Sequence, residues 1–223
     1  MLENLLTPSG CERKISLHVL VYDDFVRNVK SNSFAESLGQ FLSAVFEPVG
    51  QAFYSEFSVG LEIHYVDNDT ICDVAEDPPI KEEEKDEMRR VYAESDKEKQ
   101  SSYDLVMYDF SLEEERRPHF IVAMVGEEEI VPKEIDLFTW PMYLGTHPHA
   151  GSSNGKYCKV RISVISGLCY TTLHELGHSL GAEHTNERGC IMLPQMVHGR
   201  KIYGWSKQNR SVVEGNLCEL GIL

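Results

Sequence analysis

One stretch constrains this chain more than any other: His174-Glu-Leu-Gly-His178-Ser-Leu-Gly181-Ala-Glu-His184. On a helix, His174 and His178 lie one turn apart, so both imidazoles leave the same face. Two neutral imidazoles so placed chelate zinc, with Zn–N distances of about 2.0–2.1 Å. Glu175, beside the first of them, reaches a water at the metal. Gly181 lets the chain leave the helix sharply, because glycine accepts positive φ at little cost. The turn brings His184 back as a third ligand. Three protein ligands leave one coordination position open, as a catalytic rather than a structural zinc requires. HExxH recurs by chance, but HExxHxxGxxH is far more restrictive. Two blander readings stand beside this one: satisfied histidines on an ordinary helix, and a site that keeps zinc without turnover. The presence of Glu175 argues against the second.

The string resembles the metzincin family of zinc endopeptidases, and the resemblance extends to Cys190-Ile191-Met192. Metzincins turn the chain at a methionine beneath the zinc. Met192 would be that soft apolar floor and not a ligand. Astacin-type members carry a tyrosine two residues later, where this chain has Pro194. The order of elements, the helix ending in Thr171-Thr-Leu-His174, and the tail from Trp205-Ser206 to Leu217-Cys218 are most similar to the reprolysin (adamalysin) group, tick- or venom-type. Thr185 stands where that group usually has Asp. The short link of residues 185–191 is more like the matrixins. No matrixin structural-zinc and calcium signature is found upstream, and His147-Pro-His149 is its one candidate remnant. The downstream CxxC of the archaemetzincins is missing. The motif-level match covers residues 167–218; upstream, only the element order matches.

The resemblance implies an α/β (α+β) metzincin catalytic domain. Its parts would be a twisted, mostly parallel sheet with an antiparallel edge strand, a long active-site helix and a small C-terminal subdomain. Residues 1–223 would be one domain, 1–184 above the cleft and 185–223 below. One catalytic zinc would sit on His174, His178 and His184, with Glu175 as general base. An extended substrate would pair with an edge strand at residues 138–144, ending at Leu144. The S1′ wall would come from residues 193–199, with Leu193, Pro194 and His198 as candidate substrate contacts. Cys158–Cys218 resembles the reprolysin bridge. Cys11–Cys72 and Cys169–Cys190 are further candidate pairs, with a free Cys190 as the alternative, since six cysteines allow many pairings.

Charge and composition bound the partners. The 223 residues carry 21 Lys+Arg against 36 Asp+Glu, a net charge of −15. So acidic a surface repels phosphate backbones, which speaks against nucleic acid. Residues 81–87, KEEEKDE, read as a solvated helix face, and no clear calcium motif supports a Ca²⁺ site. No apolar run approaches the roughly 20 residues of a membrane-spanning helix. The N-terminus lacks the basic and apolar regions of a signal peptide. Six scattered cysteines fit disulfides and an oxidising compartment, so a secreted chain is expected. The sequons at Asn68 and Asn209 are compatible with that. The expected partner is a protein or peptide substrate, met by a monomer.

Hydrophobic periodicity predicts strands at 15–22, 59–66, 104–110, 120–125 and 159–165. It predicts helices at 34–54, 167–180 and 206–217, the last capped by Ser206. Residues 81–100 read as a charged helix or loop, and 144–156 as a loop. His18 and His64 fall in strand-like stretches and read as core or surface residues. His119 lies in a loop beside Pro118, and Glu183 reads as solvated. The function expected is a zinc-dependent endopeptidase. The alternatives are a catalytically silent, zinc-stabilised binding protein on the same scaffold, and an intracellular aminopeptidase-like enzyme.

Overall fold

Runs of branched and apolar residues make the middle of one six-stranded sheet. Its strands are β1 (Glu3–Leu5), β2 (Lys14–Val21), β3 (Gly60–Asp67), β4 (Phe120–Val125), β5 (Gly151–Asn154) and β6 (Tyr157–Arg161), in the spatial order β1-β3-β2-β4-β6-β5. This is a computed structural model. It describes residues 3–5, 13–32, 37–71, 97–126, 151–161, 165–194 and 204–223. The four central strands are parallel, and the short edge strands β1 and β5 run antiparallel to their neighbours. The expected mixed α/β fold, with its mostly parallel sheet and antiparallel edge strand, is therefore present.

Parallel strands are covered on both faces, so their residues alternate between two cores rather than between core and water. Leu17, Val19 and Val21 of β2 face the larger core and Leu20 the smaller. On β4, Phe120, Val122 and Met124 face the larger, and Ile121, Ala123 and Val125 the smaller. Helices α1 (Asp23–Asn32), α2 (Leu38–Phe57), α4 (Ile165–Ser179) and α5 (Lys207–Glu219) supply the larger core, through residues such as Phe25, Phe46, Leu173 and Val213. Helix α3 (Lys97–Ser111) covers the opposite face with Leu105 and Tyr108. The Ser206 cap forms as expected, its Oγ accepting from Asn209 N at 3.1 Å.

Several expectations are corrected. Residues 104–110 are not a strand but the second half of α3. A short apolar run is ambiguous by periodicity alone, and this one continues a charged helical stretch that turns Leu105 and Tyr108 onto the sheet. The loop expected at 144–156 contains β5. Helix α1, opened by Asp23 and Asp24 directly after β2, was not anticipated.

The cysteine pairings fail where they are described. Cys158, Cys169, Cys190 and Cys218 are all free thiols, so neither Cys158–Cys218 nor Cys169–Cys190 forms. The cause is where each side chain is aimed. Cys158 on β6 is buried with its sulfur 2.9 Å from Ser179 Oγ, whereas Cys218 lies on the exposed side of α5. Cys169 donates to Val45 O at 3.3 Å, packing α4 onto α2. Burial pushes the Cys158 thiol up to about 12 and that of Cys169 up to about 11, so both stay protonated. Cys11–Cys72 lies outside the described residues.

Candidate metal centre

Helix α4 packs against α2 and along the β5–β6 edge of the sheet. Ser179 Oγ meets Ser153 Oγ of β5 at 2.7 Å. Leu168, Leu173 and Leu176 bury one side of the helix, and His174 and His178 leave it together. The helix ends in a Schellman turn. Gly181 takes φ +80°, its N–H donates to His178 O at 2.9 Å, and Ala182 N donates to Gly177 O at 2.9 Å. This is the sharp exit the sequence implied, and it returns the chain so that His184 faces the other two rings.

The three Nε2 atoms form a nearly equilateral triangle: 3.2 Å from His174 to His184, 3.1 Å from His178 to His174 and 3.1 Å from His178 to His184. His174 Nδ1 donates to Ile191 O at 2.8 Å, and His178 Nδ1 donates to Ala182 O at 2.8 Å. A carbonyl only accepts, so these bonds put the proton on Nδ1 and the lone pair on Nε2. Burial holds His174 down to about 4 and also lowers His178, which keeps both rings neutral. Lone pairs facing one another at this range repel unless a cation lies between them. Tetrahedral zinc with bonds of about 2.0–2.1 Å needs ligand atoms roughly 3.3–3.4 Å apart. The triangle matches within a few tenths of an ångström, so the donor set fits zinc. Among the described residues no other cluster of this kind occurs.

Glu175 is buried on the same turn, and burial pushes its carboxyl up to about 7. Gly151 of β5 lies directly against it: a Cβ there would fall 2.7 Å from Glu175 Oε1. Met192 is fully buried. A Cβ on Gly177 would fall 2.6 Å from its Sδ and 3.0 Å from the Trp205 ring. The Gly within the histidine string therefore lets the methionine turn press against the helix. That turn is tied in place by Thr185 N donating to Met192 O at 2.9 Å and Ile191 N to Gly204 O at 2.8 Å. Tyr170 stacks on the His174 ring at 5.8 Å, and its hydroxyl donates to Leu193 O at 3.0 Å.

The structure thus gathers His174, His178, His184, Glu175 and Met192. Leu193 is half-buried just past the turn and Pro194 is exposed. Leu144, His198 and residues 138–144 lie outside the described residues. His18, His64 and His119 are not near this cluster's ring contacts; His18 Nδ1 bonds Tyr108 Oη at 2.9 Å and His119 Nδ1 lies 2.7 Å from Ser16 Oγ. Glu183 has an exposed side chain, as expected. Sequence reasoning missed Tyr170, Asn209 and Asn216. Asn209 was read only as a sequon, yet it is buried and bonded to the Glu183 backbone, so it is closed to a glycan. The available signals were an aromatic one turn before His174 and, for Gly177, a glycine inside a helix at a cost of about 1 kcal/mol.

Comparison with known proteins bears on this arrangement. No curated protein matches the chain. Among solved structures, the crystal structure of an archaemetzincin from Methanopyrus kandleri is similar at 11% identity with a TM-score of 0.44, over 95% of this chain and 99% of that one. A family model for metallo-peptidase family M12 matches residues 11–208. That span takes in every strand of the sheet but β1, the three imidazoles, Glu175 and the methionine turn, and the chain belongs to metallo-peptidase family M12.

Proposed function

We propose that the protein is a zinc-dependent endopeptidase, reprolysin-like with a shortened link to its methionine turn. His174, His178 and His184 hold the ion, and Glu175 is the general base. The convergence of three Nε2 atoms within 3.2 Å of one another carries this reading. When bound, zinc acidifies an attacking water and polarises the scissile carbonyl. The remaining work falls to the chain. Glu175 takes the proton of the attacking water on its carboxylate and passes it to the leaving amine. Its raised affinity for protons, caused by burial beside Gly151, suits a group that must accept and then release one near neutrality.

The outer side of β5 pairs with no described strand. It runs along α4 past Glu175, and an extended peptide adds there as a further strand. In this reading β5 does what residues 138–144 were expected to do. Leu193 and Pro194 begin the S1′ wall and favour an apolar P1′ side chain; His198 and Leu144 rest on the family resemblance alone. The cleft divides residues 1–184 from 185–223. The net charge of −15 steers cationic protein substrates toward the surface. A secreted monomer is part of the proposal through the resemblance, and not through the described cysteines. Among the described residues no helix is long and apolar enough to cross a membrane.

The test is Glu175→Gln. Zinc content is expected to stay at the wild-type value, while peptide cleavage falls about 10²–10⁴-fold. A variant that cuts like wild type would remove Glu175 from the mechanism. If wild-type protein binds zinc but shows no chelator-sensitive cleavage of a peptide library, the silent binding protein is the correct reading.

A further inference from the structure

The third imidazole is held differently from the other two. His174 and His178 sit on helix backbone, and each has Nδ1 anchored on a carbonyl. His184 lies beyond the helix end, its side chain is exposed, and among the described residues nothing bonds its Nδ1. Its position comes from the backbone on either side. Thr185 N donates to Met192 O on one side. On the other, the Asn209 carboxamide makes both hydrogen bonds of the Glu183 peptide groups: Glu183 N donates to Asn209 Oδ1 at 3.1 Å, and Asn209 Nδ2 donates to Glu183 O at 2.8 Å.

Asn209 is itself fixed. It is 4% exposed, sits in the first turn of α5, and donates its own N–H to the Ser206 cap at 3.1 Å. Two turns further along α5, Asn216 Nδ2 donates to Leu180 O, at the start of the exit, at 2.7 Å. Two carboxamides of α5 therefore grip the segment that carries the third ligand, one before Gly181 and one after it. A carboxamide can do this because it carries a donor and an acceptor side by side, matching the N–H and C=O of an extended residue.

We propose that Asn209 is a positioning residue for the metal centre: through Glu183 it sets His184 at the third ligand position, so that the C-terminal helix governs zinc affinity. The proposal rests on the reading of the three imidazoles as a zinc site. Partners that orient a ligand without touching the ion typically govern metal affinity by about 10–100-fold.

The experiment measures zinc affinity of the full chain by competition with a chelator, together with the visible absorption of the Co(II)-substituted protein. Asn209→Ala is expected to raise the zinc Kd about 10–100-fold and to weaken the tetrahedral Co(II) bands. Asn209→Asp keeps the shape and the acceptor but sets an oxygen against Glu183 O. It is expected to show the same loss, and it serves where the alanine variant fails to fold. Val213→Ala removes buried apolar contact from the same helix without touching Glu183; it is expected to lower Tm and leave the zinc Kd and Co(II) spectrum unchanged. Wild-type affinity in both Asn209 variants overturns the proposal, as does an equal zinc loss in Val213→Ala. Wild-type protein that binds no zinc overturns the reading of the site itself, which separates the two failures.

Discussion

Two groups of histidines lie on opposite faces of one sheet, and only one of them can hold a metal. On the α4 side, His174, His178 and His184 turn their Nε2 lone pairs on one another. Facing α3, His18 and His64 pack ring to ring at 4.8 Å, and His18 gives a nitrogen to the Tyr108 hydroxyl. His119 uses Nδ1 to accept from Ser16 N at 3.0 Å. Burial does not separate the groups, because it lowers His18 and His174 alike to about 4. Placement of the lone pairs does. In the first group carbonyls occupy Nδ1 of His174 and His178, and all three Nε2 atoms are directed at a shared point; in the second, hydroxyls and backbone use the nitrogens separately.

Substitutions sharpen that contrast. The largest effect is expected from Gly177→Ala, which drives a Cβ into Met192 Sδ and the Trp205 ring. Overpacking of this kind costs about 1–3 kcal/mol. Thermal unfolding should show the lower Tm with and without zinc, and an unchanged Tm would mean that the methionine turn gives way freely.

Gly181→Ala comes next. A left-handed residue with a Cβ costs about 1–2 kcal/mol, and here the Cβ also crowds the Asn216 amide. Its mark should be selective. Zinc affinity falls because His184 moves, and the Ala182 carbonyl that anchors His178 shifts with the turn, while His174 keeps its bond to Ile191 O. NMR of the imidazole protons would check this, and equal disturbance of all three rings would erase the distinction between helix-borne and loop-borne ligands.

The effect smallest at the metal centre belongs to the other face. His18 is held well below its ordinary value by burial, then by His64; Lys156 acts in the same direction and Asp109 in the opposite one. The unfolded chain takes up a proton near pH 6.5 that the folded chain refuses until about pH 4. Stability from this residue is therefore complete above pH 6.5 and lost as pH falls toward 4. Urea unfolding of zinc-free protein at neutral and mildly acid pH should show a shallower loss for His18→Gln than for wild type. Zinc content should not change. A loss of zinc in His18→Gln would join the two histidine groups that the structure separates.

Much of the centre was legible because it is local. Helical spacing places His174 and His178 on one face, and only a residue that accepts positive φ makes the exit at Gly181. The Ser206 cap and strands β2, β3 and β4 follow from equally short-range rules, whereas the strand expected at 159–165 lies at Tyr157–Arg161, with Ile165 already in α4. The misreadings are those in which distant residues decide. Residues 104–110 became helix because the sheet face offered Leu105 and Tyr108 a surface at helical spacing. Cys158 and Cys169 stayed thiols because Ser179 and the α2 carbonyls, remote in sequence, are what their sulfurs meet.

The sequence by itself determined the ligand string, its helix, its turn and the general fold, since each depends on neighbours within about one or two turns of chain. Only the tertiary structure decided how the third imidazole is held. Asn209 reaches Glu183 across 26 positions of sequence, and no spacing rule connects a carboxamide on one helix to a backbone bend on another. Such a bond exists only once both helices have packed against the same core.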